Sequence, residues 1–181
     1  MKEGKTELFE VSGTQDAVDE NAVRDKYRIL TEALIENNVT ITTMESCTSG
    51  QVASLITDTE GSSAVIKGAF VTYSNEAKIR QGVSEKIICT YGVYSAQTAV
   101  AMAHVCREAY DSDIGVGITG TFGNADPGNA DSVPGEVFFA IATRQGTRAY
   151  HCRVPAQVSR FAYKLYMADV IADQLIPAVR K

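Results

Sequence analysis

Histidine is scarce in this 181-residue sequence: His104 and His151 are the two present and they do not form an H-x-x-x-H pair, so a histidine-based metal site is not expected. Cysteine is sparse and scattered. Cys47, Cys89, Cys106 and Cys152 contain no C-x-x-C pair, which argues against a zinc knuckle or a dithiol redox motif and leaves reduced, partly buried thiols. No apolar run approaches the roughly 20 residues needed to cross a bilayer, and the N-terminus lacks the apolar stretch of a secretory signal. A cytoplasmic protein is therefore expected. Positive charge is also short, with 17 Lys and Arg against 22 Asp and Glu for a net charge of −5. Such a surface repels polyanions on average, so neither nucleic acid nor membrane is expected as a partner.

What is present is the composition of one ordinary globular domain, 45% hydrophobic and 22% charged. The first twenty residues are polar and acidic without sustained period, which predicts a flexible tail over 1–20 and a single domain over 21–181. From Asn21 a helix is expected to bury Val23, Tyr27, Leu30 and Leu34 on one stripe, ending at Asn37 and Asn38. The segment from Val39 to Met44 is short and β-branched and runs through Glu45-Ser46-Cys47-Thr48-Ser49-Gly50 into QVASLIT, giving strand, tight turn and helix. A second strand is read from Gly68 to Tyr73, ahead of the polar run Ser74 to Lys78.

Ser84 can cap a short helix through about Thr90, a longer helix runs from Ser95 to about Tyr110, and Asp113 to Thr119 reads as a third strand. Gly120 to Gly135 reads as a polar loop. Glu136 to Thr143 and Thr147 to Val154 form a hairpin about Arg144-Gln145-Gly146, and a closing helix turns Phe161, Leu165, Ala168, Ala172 and Leu175 inward before stopping near Pro177. The expected fold is α/β, a three-layer α/β/α sandwich with a mixed sheet that includes the C-terminal β-hairpin. In such sheets, polar turns at the carboxyl ends of strands meet at the ligand crevice. Three turns qualify: Glu45 to Gly50, Tyr73 to Lys78, and Thr119 onward.

Ser46 sits where a hydroxyl can stand out of a sheet beside the amides of a new helix, a setting for attack on a carbonyl; the competing reading is a helix N-cap. Neither histidine lies in these turns. A desolvated lysine can serve as base instead, and Lys78 follows a strand's end, although a lysine in NEAKIR also reads as a solvated helix residue. Tyr73 suits substrate contact or orientation of Lys78, or a core ring with its hydroxyl at the surface. Cys47 is a rival nucleophile, but strand alternation points it away from Ser46 and favours a buried, structural thiol.

The succession TTMESCTSG, GAFVTYSNEAKIRQGV, YGVYSAQTAVAMA and IGVGITG closely resembles the C-terminal domain of the CinA (competence/damage-inducible) family, also described as the nicotinamide-mononucleotide deamidase family. The resemblance runs from about Val39 to the last helix. It implies hydrolysis of the carboxamide of nicotinamide mononucleotide to nicotinate mononucleotide and ammonia, with no metal or organic cofactor. By position it places the nucleophile on Ser46, the base on Lys78 and supporting catalytic roles on Tyr73 and Thr48. Expected substrate contacts are Glu45, Ser49, Gly50, Asn75, Thr119, Gly120 and Arg160. The Thr119-Gly120 turn is expected to take the phosphate through free amides.

This chain departs from the family pattern. Ser49 replaces the first of two glycines after ESCT, restricting the backbone beside the site. The usual Gly-Ile-Ala-Gly-Pro run becomes Gly120-Thr-Phe-Gly123-Asn, and the loop beyond it lacks a lysine and carries Asp126 and Asp131. The Pro-Gly-Asp-Arg segment before the last helix becomes Pro155-Ala-Gln-Val158, with Arg160 the nearest guanidinium. Two functional readings follow: an amidohydrolase on a nucleotide amide, or a catalytically inactive, re-purposed nucleotide-binding or interaction paralogue. Apolar helix faces and exposed sheet edges point to a homodimer.

Overall fold

The computed structural model describes residues 7–13 and 17–179. Six strands form one mixed sheet in the order β1-β6-β5-β4-β2-β3, where β1 is Leu8–Val11, β2 Ile41–Glu45, β3 Ile66–Val71, β4 Ile114–Gly120, β5 Glu136–Ala142 and β6 Thr147–Arg153. β2 pairs in parallel with β3 and β4; β5 runs antiparallel to β4 and β6, so the hairpin is present and the sheet is mixed as expected. Helices α1 (Glu20–Glu36), α2 (Gln51–Thr57) and α6 (Arg160–Val179) share the larger core on one face. Helices α4 (Glu85–Tyr91) and α5 (Ala96–Ala109) cover the other face, and the short α3 (Asn75–Arg80) follows β3. Among the described residues no helix is long and apolar enough to cross a membrane.

The stripe Val23, Tyr27, Leu30 and Leu34 is fully buried on α1, as its spacing requires. Asp19 caps this helix, its carboxylate accepting from the Asn21 amide at 2.9 Å. On β4 the period of two is equally plain. Ile114, Val116 and Ile118 enter the larger core, whereas Gly115 and Gly117 face α5. A Cβ on Gly117 would sit 2.2 Å from the Ala99 carbonyl oxygen, and one on Gly115 the same distance from that of Ala103. The alternating glycines therefore let α5, itself lined with Ala99 and Ala103, lie directly against the sheet backbone.

Three expectations require correction. The tail reading of 1–20 fails for Leu8–Val11, which pair in parallel with Ala149–Cys152 of β6. Leu8 and Phe9 stay substantially exposed, so this strand is held mainly by its backbone ladder and shows no alternation to read. Residues 1–6 and 14–16 of that stretch lie outside the described residues. The last helix also continues through Pro177 to Val179. A proline in the final turn removes one backbone bond, and the buried Leu175 and Val179 hold the turn in place. Phe161, expected inward, is 46% exposed, and burial on this helix begins at Tyr163.

The parallel register sets the site. Glu45 is level with Val71 of β3 and with Ile118 of β4, so the chain leaves all three strands at one edge. Ser46, Thr72 and Thr119 are the first residues beyond that level.

Candidate active site

The Ser46 amide donates to the Ile118 carbonyl at 3.0 Å, carrying the β2–β4 ladder one residue past β2. The chain then turns sharply, with the Ser49 amide on the Ser46 carbonyl and left-handed φ angles of 53° at Ser49 and 86° at Gly50. Glu45 is wholly buried beneath this turn, and its carboxylate accepts from Thr43 Oγ1 (3.0 Å), the Val52 amide (3.2 Å) and the Ala53 amide (2.9 Å). Those amides belong to the first turn of α2, so the positive end of that helix faces Glu45. This arrangement corrects the expectation that Glu45 touches substrate; it supports the turn that displays Ser46.

Alternation decides the two neighbouring nucleophile candidates. Cys47 packs in the same core as Ile41 and is 4% exposed, and burial pushes its thiol up to about 12. Ser46 points the other way, toward Lys78. Thr48 is fully buried, its hydroxyl without a hydrogen-bond partner among the described residues, and it does not line the cleft. Ser49 and Gly50 likewise serve the turn and lie off the cleft wall.

Lys78 is on α3, which Ser74 caps by accepting from the Ala77 amide at 3.1 Å. The reading of Lys78 as a solvated helix residue is excluded: it is 1% exposed, and its Nζ lies 2.9 Å from the Thr72 carbonyl oxygen and 3.1 Å from Ser46 Oγ. Burial lowers its pKa to about 8, since an ammonium so enclosed loses its hydration. A Cys47 thiolate and the Asp126 and Glu76 carboxylates act in the opposite sense. With the thiol itself raised to about 12, the carboxylates are the charges that matter near neutral pH. The result is a hydroxyl bonded to an amine that is partly free base close to physiological pH.

Beyond the pair opens a cleft of about 480 Å³, within the usual range for small ligands. Asn75 and Gly120 line it, and so does Arg160, among the described residues the only basic side chain on its wall. The first residue of α6 thus brings its guanidinium to the crevice, donating to Tyr73 Oη at 3.0 Å with its Cζ 5.5 Å from the centre of the Phe122 ring. Tyr73 is 61% exposed and bonds Arg160, with no hydrogen bond to Lys78. The expected role in orienting Lys78 is therefore not served by that hydroxyl. Thr119 is also corrected as a substrate contact: it is fully buried and donates to the Val93 carbonyl at 2.8 Å. A second cleft of about 680 Å³ lies at the other end of the sheet beside Val39, Asp113 and Arg144 and, among the described residues, holds no such nucleophile and base.

The loop from Thr121 to Gly135 supplies groups that sequence reasoning did not assign. Asp126 accepts from Tyr94 Oη at 2.6 Å, from Asn129 Nδ2 at 2.6 Å and from the Gly128 amide at 2.8 Å. Asn75 Nδ2 in turn donates to Asn129 Oδ1 at 2.8 Å, tying the loop to α3. The turn signal was there in Asp126-Pro127-Gly128, but nothing local in the sequence names Tyr94 or Asn75 as its partners.

The chain matches the family model of the CinA C-terminal domain over residues 6–168. It is 44% identical over 116 residues to the nicotinamide-nucleotide amidohydrolase PncC of Escherichia coli, covering 64% of this chain and 70% of that protein. It is 35% identical over 143 residues to the nicotinamide-nucleotide amidohydrolase PncC of Shewanella oneidensis, covering 78% of this chain but 33% of that longer protein. The chain thus spans about a third of the longer relative's length. Among solved structures, the competence/damage inducible protein CihA of Agrobacterium tumefaciens superposes with a TM-score of 0.80 at 29% identity, over 91% of this chain and 99% of that one.

Proposed function

The chain belongs to the CinA C-terminal domain family, and from that membership and the geometry of its cleft we propose that it hydrolyses the carboxamide of nicotinamide mononucleotide, with Ser46 as nucleophile and Lys78 as base. The observation that carries this reading is the buried 3.1 Å contact between Lys78 Nζ and Ser46 Oγ. An amine whose pKa is near 8 is able to take up and return a proton near neutral pH, which general acid and base catalysis requires.

In the proposed sequence, neutral Lys78 removes the Ser46 proton as Oγ bonds to the amide carbon. The ammonium then returns that proton to the amide nitrogen, the carbon–nitrogen bond breaks, and ammonia leaves an ester on Ser46. Water attacks the ester, giving one proton to Lys78. That proton returns to Ser46 Oγ as the carboxylic acid departs, and the acid gives its remaining proton to solvent to become the carboxylate. Arg160, among the described residues the one cation on the cleft wall, is assigned the substrate phosphate.

Incubation with nicotinamide mononucleotide and assay of ammonia tests the reading. The wild type should release ammonia while Ser46→Ala and Lys78→Ala fall to background. The reading of a non-catalytic nucleotide-binding paralogue draws on the remodelled loop that carries Asp126. It would prevail if the wild type released no more ammonia than Ser46→Ala while the nucleotide still raised its melting temperature.

A further inference from the structure

The cleft wall holds an asymmetry of charge that amide hydrolysis alone does not require. At one side stands Arg160, held by Tyr73 and the Phe122 ring. Elsewhere on the same wall is the Asp126 carboxylate, whose field reaches Lys78. Among the described residues, the three groups that bond the Asp126 carboxylate are Tyr94 Oη, Asn129 Nδ2 and the Gly128 amide, all neutral. They hold the carboxylate ionised and fixed without cancelling its charge. The Asn75–Asn129 bond ties that carboxylate to the helix that carries Lys78, so its place relative to the reacting pair is set by the fold. Aromatic rings from Tyr73, Tyr94 and Phe122 line the same space.

Resting on the hydrolytic reading above, we propose that Asp126 is a specificity-determining residue that recognises the positive charge of the substrate's aromatic ring, as Arg160 takes its phosphate. A carboxylate facing a cleft repels a ligand that is anionic throughout and gives nothing to a neutral ring. A ligand with a cationic ring at one end and a phosphate at the other satisfies both ends of the wall. The pyridinium ring of a nicotinamide nucleotide has that character. The two charges also couple to the chemistry. Asp126 by itself favours the Lys78 ammonium. A cation seated against Asp126 cancels that field and disfavours a second positive charge nearby, so docking of the ring releases the free amine that the reaction uses.

The test reads binding, which separates it from turnover. In a Ser46→Ala background, nicotinamide mononucleotide is titrated by calorimetry beside its dihydropyridine form, which keeps the amide, ribose and phosphate but has an uncharged ring. The cationic form should bind about tenfold tighter or more, as one desolvated charge contact implies. Adding Asp126→Asn should abolish that preference and leave affinity for the neutral ring within about twofold, a sign that the cleft is intact. Asp126→Glu, which retains the charge, should keep the preference. Equal affinity of the two ring forms for Ser46→Ala, or a preference that persists in Asp126→Asn or disappears in Asp126→Glu, would overturn the assignment. A wild type that binds with the ring-charge preference but releases no ammonia would refute the hydrolytic reading alone, and a protein that binds neither form would refute both.

Discussion

Lys78 Nζ lies 3.1 Å from Ser46 Oγ although 32 residues separate them in the chain. The contact depends on three local decisions: the parallel register of β2 and β3, the Ser74 cap that starts α3, and the alternation that turns Ser46 away from Cys47. Each of these can be disturbed separately, and so can the contact itself.

The Lys78 amine must be uncharged to act as base, and its pKa is lowered to about 8 by burial. Below that pH the free-base fraction falls about tenfold per unit. Ammonia release at low substrate should therefore rise with pH up to about 8 and level off above it. A profile flat from pH 6 to 9, measured as kcat/KM, would contradict Lys78 as the base.

The same lowered pKa makes a prediction for stability. The folded chain loses the Lys78 proton near 8 and the unfolded chain near 10.5. Between those values the unfolded state binds more protons, so this group makes the unfolding free energy rise with pH across that window, by at most about 1.4 kcal/mol per unit. Lys78→Met keeps the buried stem but removes the titration. Denaturant titrations at pH 8 and 10 should show a smaller rise for Lys78→Met than for wild type, together with complete loss of ammonia release.

How much of this was legible beforehand differs by residue. Ser46 and Lys78 were legible because both follow a strand in a polar turn, and the ESCT and YSNEAK segments carry a family resemblance. Their separation was not, because it depends on the register between two strands. The family resemblance puts Glu45 and Thr119 at the substrate and Thr48 in a supporting catalytic role, but position in sequence does not say which way a side chain faces. Glu45 turns under α2 and Thr119 toward Val93, and both are fully buried. The sheet was legible from β-branched runs and turn residues, whereas β1 was not, because four mostly exposed residues paired on one side leave no hydrophobic pattern.

Glu45→Gln tests the revised role of that residue. Glutamine has one acceptor oxygen where the carboxylate serves Thr43 Oγ1 and two α2 amides with two. The expected cost is about 1–3 kcal/mol of stability, read from the denaturation midpoint. The loss of activity should appear in kcat, with KM little changed, because the turn displaying Ser46 is loosened while the cleft wall stays. A rise in KM alone, at unaltered stability, would instead mean that Glu45 binds substrate.

Arg160→Ala should weaken the phosphate end of the cleft. With nicotinamide mononucleotide, KM should increase by about 10-fold to 100-fold, the loss of one charged hydrogen-bonded contact. With the riboside, which lacks the phosphate, KM should stay close to the wild-type value. Equal effects on both compounds would place Arg160 in the support of Tyr73 and Phe122 only.

The most direct measurement of the central claim is trapping with hydroxylamine during turnover of nicotinamide mononucleotide. If Ser46 carries the ester, hydroxylamine competes with water after ammonia has left, so product should divide between acid and hydroxamate in the wild type, with no hydroxamate from Ser46→Ala. Ammonia release without any hydroxamate, or hydroxamate that persists in Ser46→Ala, would contradict an acyl group on Ser46.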